Sequence, residues 1–178
     1  PEQEFACGMA EVIKYGVLSD PELFRLVETQ DAKNHLTQVI GRCVAIKRDL
    51  VQKDEFDTGS RQLLNLGHTL AHAVEKCSHF SVSHGAAVAI GLAAVARCAY
   101  AAGLTRESIS ERLENVLVRY GLPISCDFSN EQLCQVILTD KKRSGQSIHL
   151  AIPRQIGDTF LYTMDVDRLE EFYSHRCR

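Results

Sequence analysis

The sequence predicts a mainly α-helical chain with one small β-hairpin. Apolar residues recur at spacings of three and four over most of the 178 residues, the period of a helix face. That period shortens to two only near the C-terminus, in Ile148-His149-Leu150-Ala151-Ile152-Pro153 and Thr159-Phe160-Leu161-Tyr162-Thr163. The eleven glycines never form Gly-x-Gly, and no strand–helix–strand alternation precedes the hairpin. Neither a dinucleotide-binding turn nor a P-loop is therefore present.

Each element follows from local signals. Phe5, Met9, Val12, Ile13 and Gly16 mark an opening helix, with Glu11, Lys14, Tyr15 and Leu18 on its other side. Taken alone, Glu11 and Lys14 read as an exposed helix ion pair. Pro1-Glu2-Gln3-Glu4 has no initiator Met, so the chain is expected to be a piece of a longer one. Asp20-Pro21-Glu22 is an N-cap followed by proline at the first helical position, opening a short helix to 27. A helix over 32–53 follows from Leu36, Val39, Ile40, Val44, Ile46, Leu50 and Val51, and it carries Lys47. Asp54-Glu55-Phe56-Asp57-Thr58-Gly59 breaks the pattern, either as a solvated acidic loop or as the seat of a catalytic carboxylate.

A central helix is expected over 61–75. Ser81 or Ser83 then caps an Ala-rich helix, and Thr105-Arg106-Glu107 opens another that stops at Gly121-Leu122-Pro123. Ser129 caps a short helix ending at Asp140-Lys141-Lys142, the hairpin turns at Gln155-Ile156-Gly157-Asp158, and a last helix runs from Val166 to about His175.

Composition restricts the function classes. At 45% hydrophobic and 24% charged the chain can bury one sizeable core, so one domain over 1–178 is expected. A net charge of −3 with dispersed Lys and Arg gives no basic field for nucleic acid. The seven cysteines are scattered with no Cys-x-x-Cys pair, which points to reduced thiols in the cytoplasm. The apolar run over 82–103 is mostly Ala and Gly and contains His84 and Arg97, so it is expected to be a packed helix and not a membrane span.

The chemistry concentrates in the central helix. Wound at about 100° per residue, it gathers Arg61, Asn65, His68, His72 and Glu75 into one narrow stripe on an otherwise apolar cylinder. Imidazoles, an amide and a guanidinium bind metals and oxyanions, so the stripe reads as the wall of a polar pocket. His68 and His72 have the i,i+4 spacing that can share a metal, with Glu11 and His84 as candidate third ligands. Spacing leaves two sets open: His68 and His72 plus one other, or Glu11, His68 and His84 with His72 free for proton transfer. Thr69 stands where a hydrolytic metalloprotease helix has its glutamate. Lys14, Lys47, Arg61 and Lys141 or Lys142 add cations suited to a small substrate bearing phosphate or carboxylate.

Four blocks together resemble 3-dehydroquinate synthase. They are Gly8-Met9-Ala10-Glu11-Val12-Ile13-Lys14-Tyr15-Gly16; Arg61-x-x-Leu64-Asn65-x-Gly67-His68-Thr69-x-x-His72-Ala73-Val74-Glu75; His84-Gly85-x-Ala87-Val88-Ala89-Ile90-Gly91; and Asp140-Lys141-Lys142-x-x-Gly145. The resemblance implies the helical C-terminal domain of that fold, without the N-terminal domain that binds NAD. It implies Zn2+ or Co2+ on Glu11, His68 and His84. Substrate would be held by Lys14, Lys47, Arg61, Asn65, His72 and Lys142, with His72, Asp57 and Lys47 as the catalytic residues.

The implied reaction converts 3-deoxy-D-arabino-heptulosonate 7-phosphate to 3-dehydroquinate and phosphate, in the shikimate pathway leading to chorismate and the aromatic amino acids. Oxidation by NAD, phosphate elimination, reduction and aldol closure follow one another. A cytoplasmic homodimer is implied, and a chain lacking the NAD half is expected to be inactive alone. A related sugar phosphate cyclase of the 2-deoxy-scyllo-inosose synthase type, or a helical module with a structural zinc, are the alternatives. Departures from the family pattern are Asp57 for a Glu, Ala86 for a Glu, Ala71 for a Gly and Gln3 for an Arg. A missing carboxylate at position 86 is expected to weaken the support of His84.

Overall fold

The computed structural model describes residues 1–141 and 146–177, the side chains at 140 and 141 excepted. In chain order the elements are α1 (Glu2–Ser19), α2 (Pro21–Thr29), a 3-10 turn (Ala32–His35), α3 (Leu36–Lys53), a 3-10 segment (Ser60–Asn65) and α4 (His68–Cys77). Then come α5 (His84–Ala101), α6 (Ser110–Arg119), α7 (Asn130–Lys141), strands β1 (Ser147–Gln155) and β2 (Asp158–Asp165), a 3-10 turn (Val166–Arg168) and α8 (Leu169–Tyr173). A mainly helical fold with one antiparallel hairpin is thus what the sequence period predicts.

Capping signals act where the sequence places them. Asp20 Oδ1 accepts from the Leu23 amide at 3.0 Å, and Pro21 takes the first position of α2. The same carboxylate accepts from Arg42 Nε at 2.6 Å and Nη2 at 2.7 Å, which ties α3 to the α1–α2 corner. Burial would raise the Asp20 carboxyl, but Arg42 and the Leu23 amide hold it below the usual carboxylate range. Ser129 and Gln132 form a reciprocal capping box on α7: Ser129 Oγ accepts from the Gln132 amide at 3.1 Å, and Gln132 Oε1 accepts from the Ser129 amide at 2.8 Å. In the hairpin, alternation buries Ile148, Leu150 and Ile152 and leaves His149 exposed opposite Thr163.

α5 is the centre of the core, packed on α1, α4, α6, α8 and β1. It is long and apolar enough to cross a membrane, yet 72% of its span is buried inside the fold. Two glycines let it approach so closely. A Cβ on Gly85 would lie 2.3 Å from Cys7 Cα on α1, and a Cβ on Gly91 would lie 2.0 Å from the Gly67 carbonyl oxygen. Any side chain at either position would force the elements apart.

Three expectations need correction. The helix expected over 61–75 is broken: a 3-10 segment ends at Asn65, Gly67 adopts φ 77°, and α4 starts at His68. The cause is non-local, since the Gly67 carbonyl fits against Gly91 of α5. The helix expected from Thr105 starts only at Ser110, after Gly103 turns the chain with φ 70°. On α3 the apolar residues do not all meet the core: Leu36, Ile40 and Val44 are 42%, 58% and 61% exposed, and only Val39 is buried.

Candidate metal centre

Three helices converge on one point. Gly85 seats the start of α5 against Cys7, and Glu11 lies one turn further along the same face of α1, so His84 comes to stand beside Glu11. Cys7 Sγ and Ser83 Oγ, 3.1 Å apart, mark the same approach. The break at Gly67 starts α4 at His68, which faces the same carboxylate. His68 Nε2 and His84 Nε2 lie 3.3 Å and 3.4 Å from Glu11 Oε1, and one ligand atom from each residue falls within a 4.8 Å group. Of the two sets that spacing leaves open, the structure assembles Glu11, His68 and His84.

Hydrogen bonds outside the triad fix which nitrogen each ring presents. His68 Nδ1 is 3.0 Å from the Leu66 carbonyl, an acceptor only, so Nδ1 carries the proton. His84 Nδ1 is 2.9 Å from Glu75 Oε1, likewise an acceptor. With Nδ1 so engaged, each ring turns Nε2 inward, towards a carboxylate oxygen, and in the metal-binding tautomer that nitrogen offers its lone pair. Glu11 Oε1 is buried with no hydrogen-bond partner among the described residues. Three lone pairs facing one another without a donor repel, and a divalent cation resolves the conflict. Two imidazoles and one carboxylate with room for a further ligand are the donor set of catalytic zinc. Burial pushes the Glu11 carboxyl up, but a proton on His68 Nε2, where no cation stands between the two, and the Lys14 ammonium outweigh it and hold it at about 2, so it is a carboxylate at any working pH.

Lys14 departs from the exposed-pair reading. It is 3% exposed, and its Nζ lies 2.6 Å from Glu11 Oε2, so it neutralises the oxygen turned away from the rings. His72 follows His68 by one turn of α4, the rings meeting edge-on at a centroid distance of 5.8 Å. Desolvation and the neighbouring His68 hold its pKa below the ordinary imidazole value. A cleft of about 140 Å3 opens beside the triad, lined by Asn65, His68, Thr69 and His72 with an apolar floor of Ala73, Val136 and Ile137.

Among the described residues, Asp57, Arg61 and Lys47 make no hydrogen bond or ion pair with the triad. Asp54, not Asp57, organises the acidic loop: its carboxylate accepts from the amides of Thr58 (3.1 Å), Gly59 (2.7 Å) and Arg61 (2.9 Å). These amides hold its pKa below the usual range. Asp57 is exposed with φ 57°, and its side chain bonds none of the described residues. Arg61 Nη1 donates to the Glu55 carbonyl at 2.8 Å. Lys47 is exposed on α3, one turn past Val44. Lys142 lies outside the described residues.

Two features escape sequence reasoning. Glu75 is visible on the stripe, seven residues after His68, but nothing local tells that its carboxylate reaches His84. It does, so a carboxylate other than one at position 86 already supports His84. Glu75→Gln, which weakens the acceptor, is expected to lower zinc affinity about 10–100-fold, while Ala86→Glu leaves it within about twofold; both are read by chelator competition. His149 on β1 also lines the cleft, and no signal near it in sequence announces this.

Comparison with known proteins agrees with this geometry. The family described as 3-dehydroquinate synthase C-terminal matches residues 8–143. The 3-dehydroquinate synthase of Clostridium acetobutylicum is 39% identical over 160 residues, covering 86% of this chain and 45% of that protein. The chain spans about half the length of the curated relatives it matches.

Two solved structures share the fold. The 2-epi-5-epi-valiolone synthase from Streptomyces hygroscopicus, with NAD+ and Zn2+ bound, superposes with a TM-score of 0.83 at 24% identity, over 99% of this chain and 52% of that one. A 2-deoxy-scyllo-inosose synthase complexed with carbaglucose-6-phosphate, NAD+ and Co2+ gives 0.76 at 17% identity, over 97% and 51%. With the family match running through all three triad residues and the fold repeated over nearly its full length, the chain belongs to the 3-dehydroquinate synthase family, in its C-terminal domain.

Proposed function

We propose that this chain is the metal- and substrate-binding half of a 3-dehydroquinate synthase, which converts 3-deoxy-D-arabino-heptulosonate 7-phosphate to 3-dehydroquinate and phosphate. The observation that carries the reading is the buried Glu11 Oε1, unpartnered among the described residues, facing His68 Nε2 and His84 Nε2. A zinc or cobalt ion held by these three residues supplies Lewis-acid polarisation of a substrate hydroxyl and of the ketone it becomes. The nicotinamide cofactor belongs to the other half of the full-length protein, so the chain alone does not turn over.

Each residue then has a task. Lys14, pinned by Glu11 at the edge of the triad, donates to a reacting hydroxyl, and Lys47 closes on the substrate from α3. Arg61 pairs with the substrate carboxylate. Asn65, His72 and Lys142 hold the phosphate, and His72, kept neutral by its surroundings, can move a proton as phosphate leaves. Asp57 is the candidate base on its exposed loop. The curated relatives bear the dehydroquinate synthase name, which favours this substrate over those of other sugar phosphate cyclases. Seven free cysteines fit a reducing cytoplasm; the homodimer rests on the family resemblance.

The test supplies the full-length protein with zinc, NAD+ and the heptulosonate phosphate and follows phosphate release. Release by the full-length protein, and none by this chain with zinc bound, is the expected result. No release by a zinc-loaded full-length protein overturns the assignment.

A further inference from the structure

We infer that His149 is an additional phosphate-binding residue of this site, aimed by Gln62; the inference rests on the substrate reading above. His149 comes from the hairpin, far in sequence from Asn65, Thr69 and His72, yet it lines the same cleft. Among the described residues the lining contains no carboxylate. Its polar members are an amide, a hydroxyl and imidazoles, over an apolar floor. Such a surface offers hydrogen-bond donors without opposing negative charge, which suits an oxyanion.

The orientation of the His149 ring follows by elimination. Gln62 Nε2 lies 3.0 Å from the Asp57 carbonyl oxygen, which can only accept, so this end of the amide is the NH2. Gln62 Oε1 therefore faces His149 Nδ1, at 2.9 Å, and an amide oxygen can only accept. Nδ1 carries the proton, and Nε2 is left for a ligand: protonated, it donates to a phosphate oxygen. This is the arrangement seen at His68 and His84, where an acceptor outside the site fixes Nδ1 and turns Nε2 to work. Here the free nitrogen serves an anion and not the metal, since His149 is not among the three residues whose ligand atoms converge. Gln62 is a positioning residue, and through the Asp57 carbonyl it links the hairpin to the acidic loop.

The test compares zinc-loaded wild-type chain with His149→Ala, titrating inorganic phosphate by calorimetry. His149 is exposed on the outer face of β1, so its truncation leaves the core intact. Loss of one hydrogen bond to a charged group is expected to weaken phosphate about tenfold. Gln62→Ala, which frees the ring, weakens it about threefold. Zinc affinity, and azide binding to the cobalt-loaded protein read by its visible spectrum, stay unchanged in both variants, because the triad is untouched. Equal phosphate affinity in wild type and His149→Ala, or no phosphate binding by zinc-loaded wild type, overturns the inference. Failure of the metal reading would show separately, as no zinc bound by any of the proteins. The same phosphate comparison is then decisive on the metal-free chains.

Discussion

Replacing Glu11 with Gln lowers zinc affinity by on the order of a thousandfold, the share of a structural-strength site that one of three protein ligands carries. The amide keeps the shape of the side chain but removes the only negative charge in the donor set, which His68 and Lys14 keep ionised down to about pH 2. A second effect accompanies the first. Lys14 is 3% exposed and its ion pair with Glu11 is 2.6 Å long, so the variant strands a buried ammonium. Folding stability is expected to fall by about 3 kcal/mol. His84→Ala separates the two effects, because the His84 side chain is half exposed and leaves Lys14 paired. It should lose zinc by a similar factor with little change in the urea midpoint. Chelator competition gives the affinities, and wild-type zinc binding in both variants would remove the metal centre from the account.

Gly91→Ala should be the most destabilising single methyl that can be added to the core, at about 4 kcal/mol. The new Cβ would sit 2.0 Å from the Gly67 carbonyl oxygen, a backbone atom that cannot rotate aside. Gly67 is itself confined: it holds φ 77°, and a Cβ built on it would lie 2.9 Å from the Leu92 nitrogen. Relief must come from moving α4 off α5, which also carries His68 away from His84. The denaturant midpoint and the zinc affinity should therefore fall together. Gly41→Ala is the control, since a Cβ there meets nothing within 4 Å and a helical Ala gains up to about 1 kcal/mol over Gly. A Gly91→Ala protein as stable as wild type would mean that the two elements are not held at this distance.

Most helices are legible because their determinants are local. Asp20 and Pro21 start α2, Ser129 and Gln132 box α7, and the change of period at Ile148 marks the hairpin. What local reasoning misses depends on distant partners. The helix period runs smoothly through Leu66-Gly67-His68, and only the approach of Gly91 makes the chain turn there. Leu36, Ile40 and Val44 repeat at core spacing but stay largely exposed among the described residues. In the site, the family motif carries Glu11, His68 and His84, and the geometry brings the three together. The second ring of contacts was hidden: Glu75 holding His84, Leu66 holding His68 and Gln62 holding His149 each pair groups whose relation exists only once the chain is folded.

The helix α4 also limits how this chain can vary in length. It carries His68 at its first position and Glu75 two turns later, and these reach two different partners in the same site, the Glu11 carboxylate and the His84 ring. Deleting or inserting one residue between them rotates everything downstream by about 100°, so Glu75 would swing away from α5 while Ala73 and Val74 lost their place in the core. Register within these ten residues is thus under two constraints at once. A change of length is expected to be tolerated better at the turn around Gly103, where a Cβ would meet nothing within 4 Å and no triad residue lies.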